Sequence, residues 1–205
     1  MALKTFVKVG RVNNLSDARY CAGMNVDLIG FNLDKDDENY VDITKYAGIK
    51  EWLSGIKYVG EFETSSIDEI EEAIEAYEPD YIQITDISMV PDLRDTERGL
   101  ILNIDIRSLE DLLPRIIQCK EDISYLLLES QEDRVSETQK DVISAANKEV
   151  PVLLGFGFAE DNVEALIDEV GVSGISLNGG DEIRPGFKDY DELADILEAL
   201  EAEEF

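Results

Sequence analysis

Short apolar runs alternate with amphipathic stretches from one end of this chain to the other. Runs near 5–9, 27–32, 56–62, 80–84, 100–105, 124–128, 151–155 and 173–177 read as strands. Asp27-Leu28-Ile29-Gly30-Phe31, Tyr81-Ile82-Gln83-Ile84 and Tyr125-Leu126-Leu127-Leu128 are short and almost wholly apolar. A strand covered on both faces has this composition, because neither side meets water. Between the runs, apolar residues recur three and four apart. Ile67, Ile70, Ala73, Ile74 and Tyr77 form one helical stripe, and Leu109, Leu112, Leu113, Ile116 and Ile117 form another. Ser66 with Glu69 predicts a capping box, and Ser108 with Asp111 a weaker cap of similar kind.

Strands that alternate with helices imply parallel pairing through right-handed crossovers. Eight such units can close into a (β/α)8 barrel, and a single α/β barrel domain over residues 1–205 is the expected architecture. An open doubly wound sheet is the rival. It gives no reason for glycine turns after both of the last two strands. The acidic tail from Glu198 to Glu204 reads as the end of a last helix plus fraying residues.

Composition narrows the chemistry. Lys plus Arg number 18 against 47 Asp plus Glu, a formal charge of -29, which disfavours nucleic acid and anionic membranes as partners. The chain has no histidine, so serine–histidine, cysteine–histidine and histidine–metal chemistry are excluded. Cys21 and Cys119 lack metal-ligand spacing and read as two buried thiols of a reduced, cytoplasmic protein. Neither a metal nor a cofactor is expected. A monomer or a homodimer fits the composition equally.

In a parallel barrel the chemistry sits where the strands end. Lys8, Gly10, Arg11, Asn32, Asp34, Glu61, Glu63, Gln83, Asp86, Asp105, Arg107 and Glu129 fall at such ends. The last two strands run into Leu154-Gly155-Phe156-Gly157 and Leu177-Asn178-Gly179-Gly180. Glycine lets backbone N–H groups approach a ligand closely, and a following helix adds a positive dipole end. Gly155, Gly157, Asn178, Gly179 and Gly180 are therefore the expected phosphate-binding set, with Arg184 nearby. Lys8 reads either as a barrel-interior lysine paired with Asp105 or Glu129, or as a ligand contact. Arg11 is a loop charge or a new anion contact. Glu61, Asp105 and Glu129 could converge in the mouth as acid–base groups, or stand as separate solvated carboxylates. Trp52 and Cys21 read as packing residues.

Val7-Lys8-Val9-Gly10-Arg11-Val12-Asn13, Leu28-Ile29-Gly30-Phe31-Asn32, Ile82-Gln83-Ile84, Leu153-Leu154-Gly155-Phe156-Gly157 and Pro185-Gly186-Phe187-Lys188-Asp189 occur in a telling order. Together they resemble the phosphoribosylanthranilate isomerase family of tryptophan biosynthesis over nearly the whole chain. The resemblance implies a (β/α)8 barrel that isomerises a phosphorylated, N-linked ribose by an Amadori rearrangement. It implies a cysteine base after the first strand, an aspartate acid after the sixth, and an arginine that pairs with the anthranilate carboxylate.

Those positions fall on Gly10, Glu129 and Asn39, and the family's histidine–glycine pair falls on Thr85-Asp86. Gly10 has no side chain to act as a base, Glu129 is one methylene longer than aspartate, and Asn39 cannot form a charged bidentate pair. Losing a positioned acid or base costs about 100- to 10,000-fold in rate. The expectation is a diverged member that binds a phosphorylated small molecule in a pocket including Lys8, Gly10, Arg11, Asn39, Gln83 and Asp105, its usual activity lost or changed. The alternatives are an active isomerase with Glu129 as acid and another carboxylate as base, or a non-catalytic scaffold. Whether the chain is an enzyme stays open; if active, it is an aldose–ketose isomerase.

Overall fold

The computed structural model describes residues 2–179, 182–184, 187–188 and 191–202; for 182–184, 187–188 and 191–192 it describes the backbone alone. Eight parallel strands close into a barrel in the order of the sequence. They are β1 (Phe6–Gly10), β2 (Leu28–Asn32), β3 (Lys57–Glu61), β4 (Tyr81–Ile84), β5 (Gly99–Asp105), β6 (Tyr125–Glu129), β7 (Val152–Leu154) and β8 (Gly174–Asn178). Closure is made by β1 against β8, with Phe6 opposite Gly174 and Gly10 opposite Asn178. That pairing rules out the open sheet, which would leave two unpaired edges.

Helices α1 (Leu15–Gly23), α2 (Ile43–Lys50), α3 (Ile67–Tyr77), α4 (Val90–Leu93), α5 (Leu109–Gln118), α6 (Glu137–Asn147), α7 (Val163–Val170) and α8 (Asp191–Ala199) complete the units. Between β8 and α8 lies a short antiparallel pair, β9 (Glu182–Arg184) and β10 (Phe187–Lys188), which hydrophobic periodicity did not anticipate. Its two strands are too short to carry a period.

Most caps follow from the sequence. Ser66 accepts from Glu69 N–H while Glu69 accepts from Ser66, closing the expected box on α3. Ser136 and Gln139 build a second box on α6. Ser108 caps nothing with its side chain. Asp105 takes that task one turn earlier, accepting from Arg107 N–H at the start of a 3-10 turn that leads into α5.

Ile70, Ala73, Tyr77, Leu109 and Ile116 bury along the centres of the two stripes, and Ile67, Ile74, Leu112 and Leu113 are half-buried at their flanks. Ile117 is 40% exposed at the rim of its stripe, and Trp52 is 69% exposed just beyond α2, so Trp52 is a surface residue and not a packing one. Cys21 is buried in the core, but Cys119 at the end of α5 is only half-buried, where burial still pushes its thiol upward. The tail is held through residue 202: Leu3 bridges Glu201, and Ala202 N–H donates to Ala2 O at 2.9 Å.

The barrel interior is layered. Leu28, Val59, Ile101, Leu127 and Leu153 pack on one another inside it, with Phe6, Tyr81 and Tyr125 against them. Side chains alternate across a strand. Two residues further along the same inward rows stand Gly30, Glu61, Asn103, Glu129 and Gly155, with Gln83 two beyond Tyr81 and Lys8 two beyond Phe6. The runs that read as uniformly apolar are thus apolar outward and turn polar inward near their C-terminal ends.

Candidate active site

Glu61 ends β3, and its carboxylate occupies space that other residues leave empty. An ideal Cβ on Gly10 would stand 2.7 Å from Glu61 Oε1, and one on Gly30 would overlap that carboxyl group outright. No real side chain fits at either place while Glu61 stays where it is. The first-strand position that the resemblance assigned to a cysteine is therefore filled by a carboxylate reaching in from β3.

Lys8 holds it there. Its Nζ lies 2.5 Å from Glu61 Oε1, and the two side chains are 1% and 9% exposed. Gly30, on the intervening strand β2, has no side chain to part them. Glu61, and neither Asp105 nor Glu129, is the partner of this interior lysine. Arg11 N–H donates to the other oxygen, Glu61 Oε2, at 3.0 Å. Arg11 takes a left-handed backbone, φ 55°, to turn that amide inward. Its guanidinium reaches only to 3.7 Å from Glu63 Oε1 and is more than half exposed.

Glu129 ends β6 beside an amide partner. Asn103 Nδ2 donates to Glu129 Oε2 at 2.9 Å, and Asn103 itself is buried in β5. Asn103 was not among the residues expected at the site. A lone carboxamide inside Leu100-Ile101-Leu102-Asn103-Ile104 was its only signal. Gly155 makes room for this side chain, since a Cβ there would lie 3.1 Å from Glu129 Cγ.

Two cavities share this mouth. The larger, about 390 Å³, is lined by Arg11, Glu63, Thr85, Asn103, Asp105, Ser108 and Glu129 among others. The smaller, about 20 Å³, is lined by Arg11, Asn32, Glu61, Glu63, Gln83, Asn103, Glu129 and Asn178. Glu61 and Glu129 thus face one recess. Asp105 joins the larger space but is tied by Arg107, whose Nε and Nη2 donate to it at 2.8 and 2.6 Å. Those bonds hold its carboxyl below the usual carboxylate range. Gln83 is 6% exposed, and its Oε1 has no hydrogen-bond partner among the described residues.

Other expected residues fall elsewhere. Asn39 is exposed in the turn after β2 and lines neither cavity. Asp34 is buried in the loop after β2, where it accepts from Glu63, Thr64 and Ser65 N–H and from Ser65 Oγ. It shapes the loop that carries Glu63. Thr85 Oγ1 donates to Glu63 O, and Asp86 caps the next turn through Ser88 N–H, which lowers its pKa.

The glycine turns are partly engaged by their own chain. Gly155 N–H donates to Leu128 O at 2.8 Å, and Gly179 N–H donates to Gly10 O at 2.9 Å. Those two amides already have acceptors, so close approach to neighbouring strands accounts for them. Gly157 is different. At φ 83° it turns left-handed, with Val135 against the space a Cβ would take. Gly180 and the Arg184 side chain lie outside the described residues.

The family model for N-(5'-phosphoribosyl)anthranilate (PRA) isomerase matches residues 15–199. The chain belongs to that family. A curated family member from Parabacteroides distasonis is 25% identical over 206 residues, covering 95% of this chain and 92% of its own. The phosphoribosyl anthranilate isomerase structure from Thermus thermophilus superposes with a TM-score of 0.78 at 18% identity, covering 96% of this chain and 98% of that one. Another family structure, described as a complex with reduced 1-(o-carboxyphenylamino)-1-deoxyribulose 5-phosphate, superposes at 0.75 with 20% identity, covering 96% and 98%. Among the described residues no helix is long and apolar enough to cross a membrane.

Proposed function

We propose that this barrel isomerises a phosphorylated, N-linked ribose by the rearrangement its family is named for, with two glutamates as its proton-transfer pair. The observation that carries this reading is the place of Glu61. Its carboxylate stands where a side chain on Gly10 would begin, and it shares a recess with Glu129. A missing base at position 10 is thereby matched by a carboxylate delivered from the next strand but one.

The chemistry balances with these two groups. Glu129, in its acid form, gives a proton to the ring oxygen as the C1–O bond breaks and the sugar nitrogen forms a C1=N bond. Glu61 takes the proton from C2, and the electron pair moves into C1=C2 as the C=N π pair returns to nitrogen. The enol then gives up its hydroxyl proton and C1 gains one, leaving a ketone at C2. Lys8 and Arg11 N–H hold the Glu61 carboxylate and aim it, and Asn103 orients Glu129. The phosphate end lies over the loops after β7 and β8, with Gly157, Asn178 and Gly180 as its candidate contacts.

Turnover of N-(5'-phosphoribosyl)anthranilate at saturating concentration tests this. The wild-type chain is expected to turn over, and Glu61→Gln and Glu129→Gln should each lower kcat about 100-fold or more. No turnover by the folded wild type at millimolar substrate would sink the reading. A binding barrel without turnover is the second reading. Its support is that both Glu61 oxygens already accept a hydrogen bond, which leaves fewer lone pairs open to a substrate proton.

A further inference from the structure

The charge at the mouth is predominantly negative. Glu61, Glu63, Asp105 and Glu129 bring four carboxylates to the two cavities, and Arg11 is the one cation among the described residues lining them. Lys8 is bound to Glu61 from beneath, and Arg107 is bound to Asp105. An acidic cluster alone specifies no ligand. Here a second observation does: among the described residues Gln83 Oε1 is an unpaired acceptor, on a side chain that is 6% exposed and lines the smaller recess. A buried acceptor left without a donor is costly, so a ligand group that donates would complete the recess. Asn103, which also lines the recess, gives its amide to Glu129.

Among the described residues, a carboxylate on the ligand would meet these oxygens with no free cation beyond the loosely held Arg11 guanidinium. Like charges brought together in a partly desolvated cleft reject a partner strongly. We infer that the group this mouth selects beside the sugar nitrogen is uncharged and hydrogen-bond-donating, of the carboxamide type, and that a carboxylate in its place is disfavoured. The inference rests on the isomerase reading for the sugar phosphate that enters, but not on turnover.

Calorimetry on the full chain tests it with two probes. One is reduced 1-(o-carboxyphenylamino)-1-deoxyribulose 5-phosphate; the other is the same compound with a carbamoyl group replacing the carboxylate. The carbamoyl compound is expected to bind at least about tenfold more tightly, the scale of a single charge-assisted hydrogen bond. Gln83→Leu should weaken the carbamoyl compound and spare the carboxylate. Glu63→Gln, a half-exposed change that does not threaten folding, should strengthen the carboxylate and narrow the gap. Equal affinities, tighter binding of the carboxylate, or binding of neither compound overturns the inference. Preference without any turnover overturns the isomerase reading alone.

Discussion

The Lys8 ammonium and the Glu61 carboxylate meet inside the barrel at 2.5 Å, across a strand whose intervening residue, Gly30, has no side chain. A buried pair of this kind adds little net stability, because desolvation of both ions offsets their attraction. Breaking one half leaves a charge stranded. Lys8→Met is expected to destabilise the fold by about 3–5 kcal/mol, and adding Glu61→Leu should recover much of that loss. Urea midpoints at constant slope read both numbers. A double variant no more stable than Lys8→Met would show that the pair is not one unit.

Gly30 carries a second consequence. A methyl group there overlaps the Glu61 carboxyl, so Gly30→Ala should cost about 1–3 kcal/mol by overpacking and should lower isomerase or ligand-binding activity with it. Gly23, at the end of α1, has nothing within 4 Å of its missing Cβ. Gly23→Ala should therefore stabilise by about 0.4–1 kcal/mol through the unfolded state. Opposite signs from the two glycines, measured by thermal or chemical unfolding, would separate space-keeping from chain flexibility.

Asp34 ties the loop after β3 with bonds to three backbone amides and one hydroxyl. Asp34→Ala leaves those donors without their charged partner and should cost about 2–4 kcal/mol. Asp34→Asn, which keeps one acceptor oxygen, should cost less. Hydrogen exchange at residues 63–65 is expected to quicken in the alanine variant. Unchanged exchange there would remove Asp34 from the support of Glu63.

Asp27 contributes a pH dependence. Its Oδ2 accepts Val7 N–H at 2.8 Å, yet burial raises its pKa above the ordinary carboxylate value. A carboxyl raised in the folded state holds its proton better folded than unfolded. Its support for the fold is complete below the unfolded pKa and is lost as pH rises through the folded one. Asp27→Asn cannot titrate. The stability of that variant relative to wild type should therefore rise from about pH 3 to pH 7, read from unfolding midpoints at each pH. A flat difference would mean that this carboxyl does not titrate differently on folding.

The alternation of apolar runs with amphipathic stretches specified parallel strands covered on both sides by helices, and the pairing of β1 with β8 is what makes them a barrel. Each expected strand lies within two residues of an observed one. The site was legible in part. Glu61, Gln83, Glu129 and Asn178 stand at or near strand ends and line the recess together with Glu63 from the loop after β3. Asn103 was hidden inside an apolar run, and Asn39 was carried over from a family segment whose turn lies away from the mouth.

By itself the sequence determined which residues reach the C-terminal rim, since strand order and the two-residue alternation of side chains are local properties. It also determined that no thiol stands at position 10. Only the closed barrel decided that Glu61 fills the space above Gly10 and Gly30, that Lys8 pairs with it, and that Gly155 and Gly179 give their amides to neighbouring strands. Those outcomes depend on contacts between segments tens of residues apart. Their distances are set by strand register around the ring, which no local pattern encodes.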